Sequence, residues 1–209
     1  MKSQLLVPAV YDFLENMEFE GFDQFYEYAI KRDVPVVSKA VGNIISFFVS
    51  LFRPTNILEL GCGIGTAAKY MLTKSKANYT GVDNNLERIE VAKRFLKDFN
   101  KLKFIHSRVE TFLCGTDEKY DFVFVDSIKK DYEKIWYLLK PVLTKRSMVI
   151  FDDFFLYGYI FQEEAEIPYK YREGVRLIKR FINNIKNDPT AEIVFLPIEN
   201  GIMVVHYEG

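Results

Sequence analysis

The fold is decided by residues 56–65, which read NILELGCGIG. A short apolar run that ends in glycines predicts a buried strand followed by a tight turn into a helix. Glycines in such a turn let the backbone approach a ligand closely, although an unoccupied glycine turn is the alternative. A dinucleotide-binding G-x-G-x-x-G motif would need a third glycine at position 66, where the chain has Thr66. The spacing therefore argues against a nicotinamide-dependent dehydrogenase.

Strands and helices alternate after this loop. The apolar runs predict strands at 56–60, 79–83, 103–106, 121–126, 147–151, 192–196 and 202–206. The intervening segments predict helices at 65–73, 86–99, 131–139 and 172–186. This alternation predicts a Rossmann-like, doubly wound α/β sheet of seven strands, with an antiparallel edge formed by the last two strands. Ligands of such sheets bind at the carboxyl ends of the strands.

The N-terminal region has a different pattern. Residues 8–52 predict three helical pieces, broken near Gly21 and at residues 33–35. No internal repeat, low-complexity tract or flexible linker interrupts the chain. We therefore expect a single domain over the whole chain, made of an N-terminal helical cap, residues 1–53, and a catalytic α/β core, residues 54–209.

The composition limits the classes of function. The 209 residues are 49% hydrophobic, and 28 Lys and Arg stand against 29 Asp and Glu. The net charge of -1 excludes a strongly basic binder, although not a local basic patch. The two cysteines, Cys62 and Cys114, cannot form a disulfide framework. The most apolar stretch, 41–52, is shorter than the roughly 20 residues of a membrane span, and no signal peptide is evident. We expect a cytoplasmic protein with no membrane partner.

Asp83 ends the second predicted strand, 22 residues after Gly61. A carboxylate at this place can accept hydrogen bonds from both hydroxyls of a ribose, as in nucleotide-binding folds. The alternative is an N-cap for the following helix, a role that Asn84 or Asn85 could also fill. Together with the glycine loop, the position favours ribose binding.

Three carboxylates follow two other predicted strands. Asp126 ends the fourth strand, and Asp152 and Asp153 end the fifth. The ends of neighbouring strands meet at one edge of the sheet, and clustered carboxylate oxygens suit Mg²⁺ or Ca²⁺. Successive strand residues point to opposite faces, so Asp152 and Asp153 can share an ion only if the strand is already turning. The alternative is that one of them caps the next segment.

The glycine loop and Asp83 together resemble the class I methyltransferases that use S-adenosylmethionine (SAM). The pattern Asp126-x-x-Lys129-x-x-Tyr132, followed by paired acidic residues, resembles the metal-dependent O-methyltransferases, which include the catechol and caffeoyl-CoA enzymes. The resemblance implies SAM and Mg²⁺ as cofactors, with the three strand-end carboxylates as metal ligands. It also implies a SAM site formed by Val37, Glu59, Gly61, Gly63, Gly65, Thr66, Asp83 and Asp126.

The resemblance implies a mechanism as well. The methyl group of SAM is already activated, so the enzyme has to align an acceptor oxygen and make it anionic. A divalent ion on the acceptor hydroxyl would lower its pKa, and Lys129 would then accept the proton. Lys129 and Asp126 are the candidate catalytic residues. A solvated lysine, beside Lys130 and Asp131, is the alternative for Lys129.

The chain departs from the resembling pattern at three places. Asp153 stands where the family usually has Asn, which adds a negative charge to the predicted metal site. Residues 66–67 are Thr-Ala where Tyr-Ser is common, so Thr66 would have to supply the hydroxyl contact to the cofactor. Arg108 stands where a small acidic motif is usual, so the sequence does not identify the residue that contacts the adenine ring.

Two kinds of acceptor fit the sequence. Residues 31–45 and 187–201 resemble the bacterial tRNA 5-hydroxyuridine methyltransferases, with Glu199-Asn200 in place of the usual Gly-Asp. A 5-hydroxyuracil carries two neighbouring oxygens, as a catechol does, so a small hydroxyl acceptor or tRNA is the expected partner. The resembling family also implies a homodimer. A non-catalytic SAM-binding protein is the alternative to an enzyme.

Two further segments bear on the acceptor. Four basic residues share one face of the last long helix, opposite an apolar face: Arg172, Arg176, Lys179 and Arg180. A solvated face is the plain interpretation, and a phosphate-contacting stripe is the alternative. The aromatic and acidic segment 154–171 is long for a connection, which is typical of a lid.

Overall fold

The computed structural model describes Phe13 and residues 21–209, and its centre is a seven-stranded sheet. The strands are β1 Asn56–Leu60, β2 Asn78–Asp83, β3 Leu102–His106, β4 Tyr120–Val125, β5 Leu143–Phe151, β6 Ala191–Leu196 and β7 Ile202–Tyr207. Their order is β3-β2-β1-β4-β5-β7-β6. The first five strands are parallel, and β7 runs antiparallel to both β5 and β6. The predicted doubly wound sheet with an antiparallel edge is confirmed, and it is the fold of class I methyltransferases.

Helices cover both faces of the sheet. They are α1 Asp23–Arg32, α2 Lys39–Phe52, α3 Thr66–Thr73, α4 Leu86–Phe95, α5 Val109–Gly115, α6 Tyr132–Leu139 and α7 Tyr169–Ile185. Short 3-10 segments lie at Lys129–Asp131, Lys140–Val142, Leu156–Phe161 and Glu164–Glu166. Among residues 21–209, no helix is both long enough and apolar enough to cross a membrane.

Three details differ from the sequence prediction. Helix α5 was not predicted, because its seven residues bury only Phe112 and Leu113, too few for a recognisable period. Helix α4 ends at Phe95 and not at Phe99, whose N–H instead bonds to Leu96 in a turn. Strand β5 begins four residues earlier than predicted. The prediction omitted this part because residues 145–146, whose side chains are exposed, have a pattern typical of a loop.

The predicted breaks in the N-terminal region are confirmed where the structure describes them. Asp33 ends α1 in the left-handed conformation, and Ser38 caps α2 by accepting a hydrogen bond from the N–H of Val41 at 3.2 Å. The first predicted helical piece, residues 8–20, lies outside the described residues apart from Phe13. Helix α2 then packs closely on α3, since a Cβ at Gly42 would lie 2.3 Å from the ring of Tyr70.

The sheet separates two apolar layers because successive strand residues point to opposite faces. On one face, Leu58, Val123 and Val149 pack with the buried sides of α5, α6 and α7. On the other, Ile57 and Phe122 pack with α1, α2, α3 and α4. This arrangement brings the carboxyl ends of β1, β2, β4 and β5 to one edge, where the predicted site residues lie.

Candidate active site

Gly61 lies where the ends of three strands approach one another. Its φ is +94°, and a Cβ at this position would lie 1.9 Å from the backbone oxygen of Asp126. The N–H groups of Gly61 and Cys62 both donate to the carbonyl oxygen of Val82, at 2.8 and 3.1 Å. The loop between β1 and α3 is therefore held between the ends of β2 and β4, and only glycine fits at position 61.

Asp83 connects this loop to the end of β2. Its two carboxylate oxygens accept hydrogen bonds from the N–H groups of Gly63 and Asn85, each at 2.8 Å. Helix α4 is capped by Asn85, whose side chain accepts from the N–H of Arg88 at 3.1 Å, and not by Asp83. Asp83 is buried in the protein but lines the cleft described next, which is the position that ribose binding requires.

A cleft of about 440 Å³ opens above the carboxyl ends of the strands, within the usual size range of small-molecule sites. Its lining includes Gly61, Asp83, Ser107, Arg108, Asp126 and Ser127. The other predicted SAM-binding residues do not line it: Val37, Glu59, Gly63, Gly65 and Thr66. Gly65 instead lies against α4, where a Cβ would come within 2.7 Å of Leu96 Cδ1. A direct cofactor contact of these five residues stays a prediction.

Two buried hydroxyl groups near the cleft have no hydrogen-bond partner among the described residues. They are Thr66 Oγ1, at the start of α3, and Ser127 Oγ, directly after Asp126. A buried hydroxyl without a partner is costly, so each indicates a missing ligand group or water. Sequence reasoning missed Ser127, although its place at the carboxyl end of β4 could have indicated it.

Glu59 lies beneath the glycine loop. It is 2% exposed, and its carboxyl group accepts a hydrogen bond from the Tyr79 hydroxyl at 2.6 Å. Burial raises the pKa of Glu59 well above its usual value, more than the bond from Tyr79 lowers it. The Glu59 carboxyl group therefore has its hydroxyl partner within the protein itself.

Lys129 follows Asp126 in the chain and joins two of the predicted metal ligands. Its ammonium nitrogen lies 2.7 Å from Asp126 Oδ1 and 3.2 Å from Asp153 Oδ2. Burial lowers the pKa of Lys129, but the acidic groups of Tyr132, Asp126 and Asp153 more than offset this, so the pKa lies above the usual lysine value. In this arrangement Lys129 is a hydrogen-bond donor. Its role as a proton acceptor when a metal is bound stays a prediction.

Asp152 and Asp153 point in different directions because the chain turns between them. Asp153 has a φ of +50°, and its N–H donates to Asp152 Oδ1 at 2.8 Å. Burial, and then the charges of Asp126 and Asp153, raise the pKa of Asp152 to about 8. The backbone oxygen of Asp152 accepts a hydrogen bond from the Tyr132 hydroxyl at 2.8 Å. The strand does turn here, as a shared ion would require, but only Asp153 reaches Lys129.

The three carboxylates do not form a ready metal site. Within the described part of the chain, no three His, Cys, Asp or Glu side chains are grouped so that they could hold a metal ion. Asp126 and Asp153 converge on one cation, but that cation is the Lys129 ammonium group. As placed, these residues do not fit a divalent ion, and the assignment of Asp126, Asp152 and Asp153 as its ligands stays a prediction.

The comparison with known proteins identifies the family of this chain. A model of the O-methyltransferase family matches residues 18–207. The chain belongs to this family. It is 24% identical over 204 residues to tapetum-specific methyltransferase 1 of Arabidopsis thaliana, covering 93% of this chain and 86% of that protein. It is 23% identical over 176 residues to the caffeoyl-CoA O-methyltransferase of Stellaria longipes, covering 79% of this chain and 73% of that protein.

A solved structure shows the same fold. The Podospora anserina methyltransferase PaMTH1, bound to S-adenosylhomocysteine (SAH), matches with a TM-score of 0.85 at 18% identity. The match covers 100% of this chain and 98% of that chain. With the family and the fold both established, the predicted resemblance to O-methyltransferases of the catechol and caffeoyl-CoA type is confirmed.

The basic stripe of this O-methyltransferase is partly used inside the protein. The Arg180 guanidinium forms an ion pair with the buried Glu133, whose other oxygen accepts from Asn184 at 2.6 Å. Arg172 Nε donates to the carbonyl oxygen of Ile167 at 2.9 Å. Two of the four basic side chains therefore stabilise the packing around α7. This favours an ordinary solvated helix face over a phosphate-contacting stripe.

The predicted lid segment of the O-methyltransferase begins beside Asp153 and is compact. The rings of Tyr159 and Tyr171 stack with their centroids 4.9 Å apart. Leu156 and Tyr157 both have positive φ values, a conformation that costs energy for residues other than glycine and often accompanies functional sites. The segment follows Asp153 directly in the chain, and its role as a lid stays a prediction.

Proposed function

We propose that this O-methyltransferase transfers the methyl group of SAM to an acidic hydroxyl of a small, catechol-like acceptor. One observation carries the proposal: Asp126 joins the two halves of the site. Asp126 lines the cleft, its backbone oxygen packs against Gly61 of the glycine loop, and its side chain accepts a hydrogen bond from Lys129. A methyl donor and an acceptor bound in the two halves would therefore meet.

The cofactor half fits SAM. A carboxylate can accept about four hydrogen bonds, so Asp83 has capacity for ribose hydroxyls beyond the two backbone N–H groups that it already accepts. The buried hydroxyl of Ser127, a residue that lines the cleft, can bond to a polar group of the cofactor. The relative PaMTH1 contains SAH, which is SAM without its methyl group, and this supports the same cofactor here.

The acceptor half fits a hydroxyl that reacts as an anion. The sulfonium of SAM activates the methyl group, so the protein has to align the acceptor oxygen and favour its charged form. Lys129 can donate a hydrogen bond to that oxygen, and a fixed ammonium group in a partly buried site stabilises a developing anion. Asp126 and Asp153 hold Lys129 in place for this task.

Magnesium dependence is a separate prediction from the sequence. When bound, a divalent ion would lower the pKa of the acceptor hydroxyl. One oxygen of Asp126 and one of Asp153 already contact the Lys129 ammonium group, so a divalent ion would compete with it for these two carboxylates. Activity that is lost on chelation and restored by Mg²⁺ supports the prediction, and activity indifferent to chelation contradicts it.

The second acceptor that the sequence allows is 5-hydroxyuridine in tRNA. We favour the small acceptor, because Arg180 and Arg172 of the basic stripe already have partners within the protein. Assembly as a homodimer is part of the proposal, and sedimentation of the purified protein tests it directly.

The test of the proposed function is methyl transfer from labelled SAM. Catechol and tRNA with an unmethylated wobble 5-hydroxyuridine are offered separately, each with Mg²⁺ and with chelator. Label in catechol supports the proposal. Label only in RNA would mean that the acceptor is tRNA and not a small catechol-like molecule. SAM binding without transfer to either would favour a non-catalytic SAM-binding protein.

A further inference from the structure

Asp153 is bonded on both of its carboxylate oxygens. Oδ2 lies 3.2 Å from the Lys129 ammonium nitrogen, and Oδ1 accepts a hydrogen bond from the side-chain amide of Asn200 at 3.0 Å. Asn200 lies in the turn between β6 and β7, 47 residues away in sequence. One oxygen therefore faces the proposed acceptor site, and the other is held from behind by a neutral amide.

The turn that carries Asn200 is fixed to the chain immediately after Asp153. The N–H of Phe155 donates to the Asn200 carbonyl at 2.6 Å, and the N–H of Phe154 donates to the Gly201 carbonyl at 2.7 Å. A Cβ at Gly201, where φ is +83°, would lie 2.2 Å from the Phe155 ring. The position of Asn200 relative to Asp153 is therefore set by the backbone, and its amide does not reach Asp153 by chance.

We propose that Asn200 is a positioning residue, which orients the Asp153 carboxylate toward Lys129 and keeps its negative charge on the acceptor side of the cleft. The inference rests on the proposed function. An amide suits the task because it donates a hydrogen bond without adding charge. A carboxylate at position 200 would face Asp153 at hydrogen-bond distance, and the two like charges would repel each other.

The test compares Asn200→Ala, Asn200→Asp and the double variant Asp153→Asn/Asn200→Asp with wild-type enzyme. We expect Asn200→Ala to lower kcat about tenfold, the cost of about 1.4 kcal/mol at the transition state. The Kd for SAM should stay at the wild-type value, because Asn200 does not line the cofactor cleft. Asn200→Asp should lower kcat further and also lower Tm, and the double variant should recover that Tm. Asn183→Ala, an exposed Asn on α7, is the matched control and should behave as wild type.

Three outcomes would overturn the inference. The first is wild-type kcat in Asn200→Ala. The second is a parallel loss of kcat and SAM affinity, which would indicate a general structural role. The third is a double variant as unstable as Asn200→Asp. If the wild-type enzyme transfers no methyl group to any hydroxyl acceptor, the proposed function itself is wrong. If the wild-type enzyme is active and Asn200→Ala is equally active, only the inference about Asn200 is wrong.

Discussion

On the cofactor side of the cleft, backbone groups hold the site together, whereas on the acceptor side charged side chains do so. The glycine loop is fixed by N–H groups that bond to Val82 and Asp83. The acceptor side depends on Lys129, which contacts two carboxylates, and on the amide of Asn200 behind one of them. The comparison teaches that the first half is formed before any ligand arrives, while the second can rearrange when its charges change.

The largest effect is expected from Gly61→Ala. The new Cβ would overlap the backbone oxygen of Asp126 at 1.9 Å, and backbone atoms cannot move aside as a flexible side chain can. We expect about 3–5 kcal/mol of destabilisation and no measurable SAM binding. Urea unfolding and calorimetric titration with SAM measure both. The control is Gly115→Ala, whose Cβ meets nothing within 4 Å. A Gly61→Ala protein that binds SAM normally would mean that the loop is not rigid.

Lys129→Met tests the acceptor half alone. It removes the proposed hydrogen-bond donor to the acceptor oxygen, and we expect kcat to fall about a hundredfold, as for loss of one oxyanion donor. The Kd for SAM should stay close to the wild-type value. Single-turnover transfer and SAM titration on the same preparation separate the two quantities. The neighbouring exposed Lys130→Met is the control, and equal activity of both variants would mean that Lys129 has no part in methyl transfer.

Asp83→Ala tests the cofactor half with a smaller change. The variant removes the proposed acceptor of the ribose hydroxyls and the partner of two backbone N–H groups. We expect SAM binding to weaken by about 1–3 kcal/mol, with kcat at saturating SAM much less affected. Titration with SAM gives the affinity, and Asp98→Ala, an exposed position after α4, is the control. An unchanged Kd would limit Asp83 to a role in loop structure.

Tyr79→Phe is expected to have the smallest effect. It removes the hydroxyl that bonds to Glu59 and leaves a buried carboxyl group without this partner. We expect about 1–2 kcal/mol lower stability and little change in transfer rate. Urea unfolding checks the first and the labelled-SAM assay the second. A larger loss of SAM binding than of stability would mean that Glu59 contacts the cofactor after all.

The cofactor half could be predicted from the sequence because its signals are local. The apolar run of β1 and the glycines that follow it predicted a strand, a turn and a helix, and Asp83 and Asp126 were correctly placed at strand ends. The missed helix α5 is the exception, since it is short and buries few apolar side chains. Local patterns determine which residues reach the edge of the sheet.

The acceptor half could not be predicted in the same way, because its contacts join distant residues. Asn200 bonds to Asp153, and Arg180 to Glu133, each pair 47 positions apart. Nothing in either local pattern identifies the partner. The pairing of Lys129 with Asp153 likewise joins two separate segments of the chain.

The most direct test measures SAM affinity and methyl transfer to catechol on wild-type enzyme and on Asp126→Asn. This substitution keeps the shape of the side chain but removes the charge that holds Lys129. We predict a transfer rate at saturating SAM about a hundredfold lower than that of wild type, a larger loss than any loss of SAM affinity. An Asp126→Asn variant that binds SAM and transfers the methyl group at the wild-type rate would contradict the account. The charged acceptor half would then have no part in the reaction.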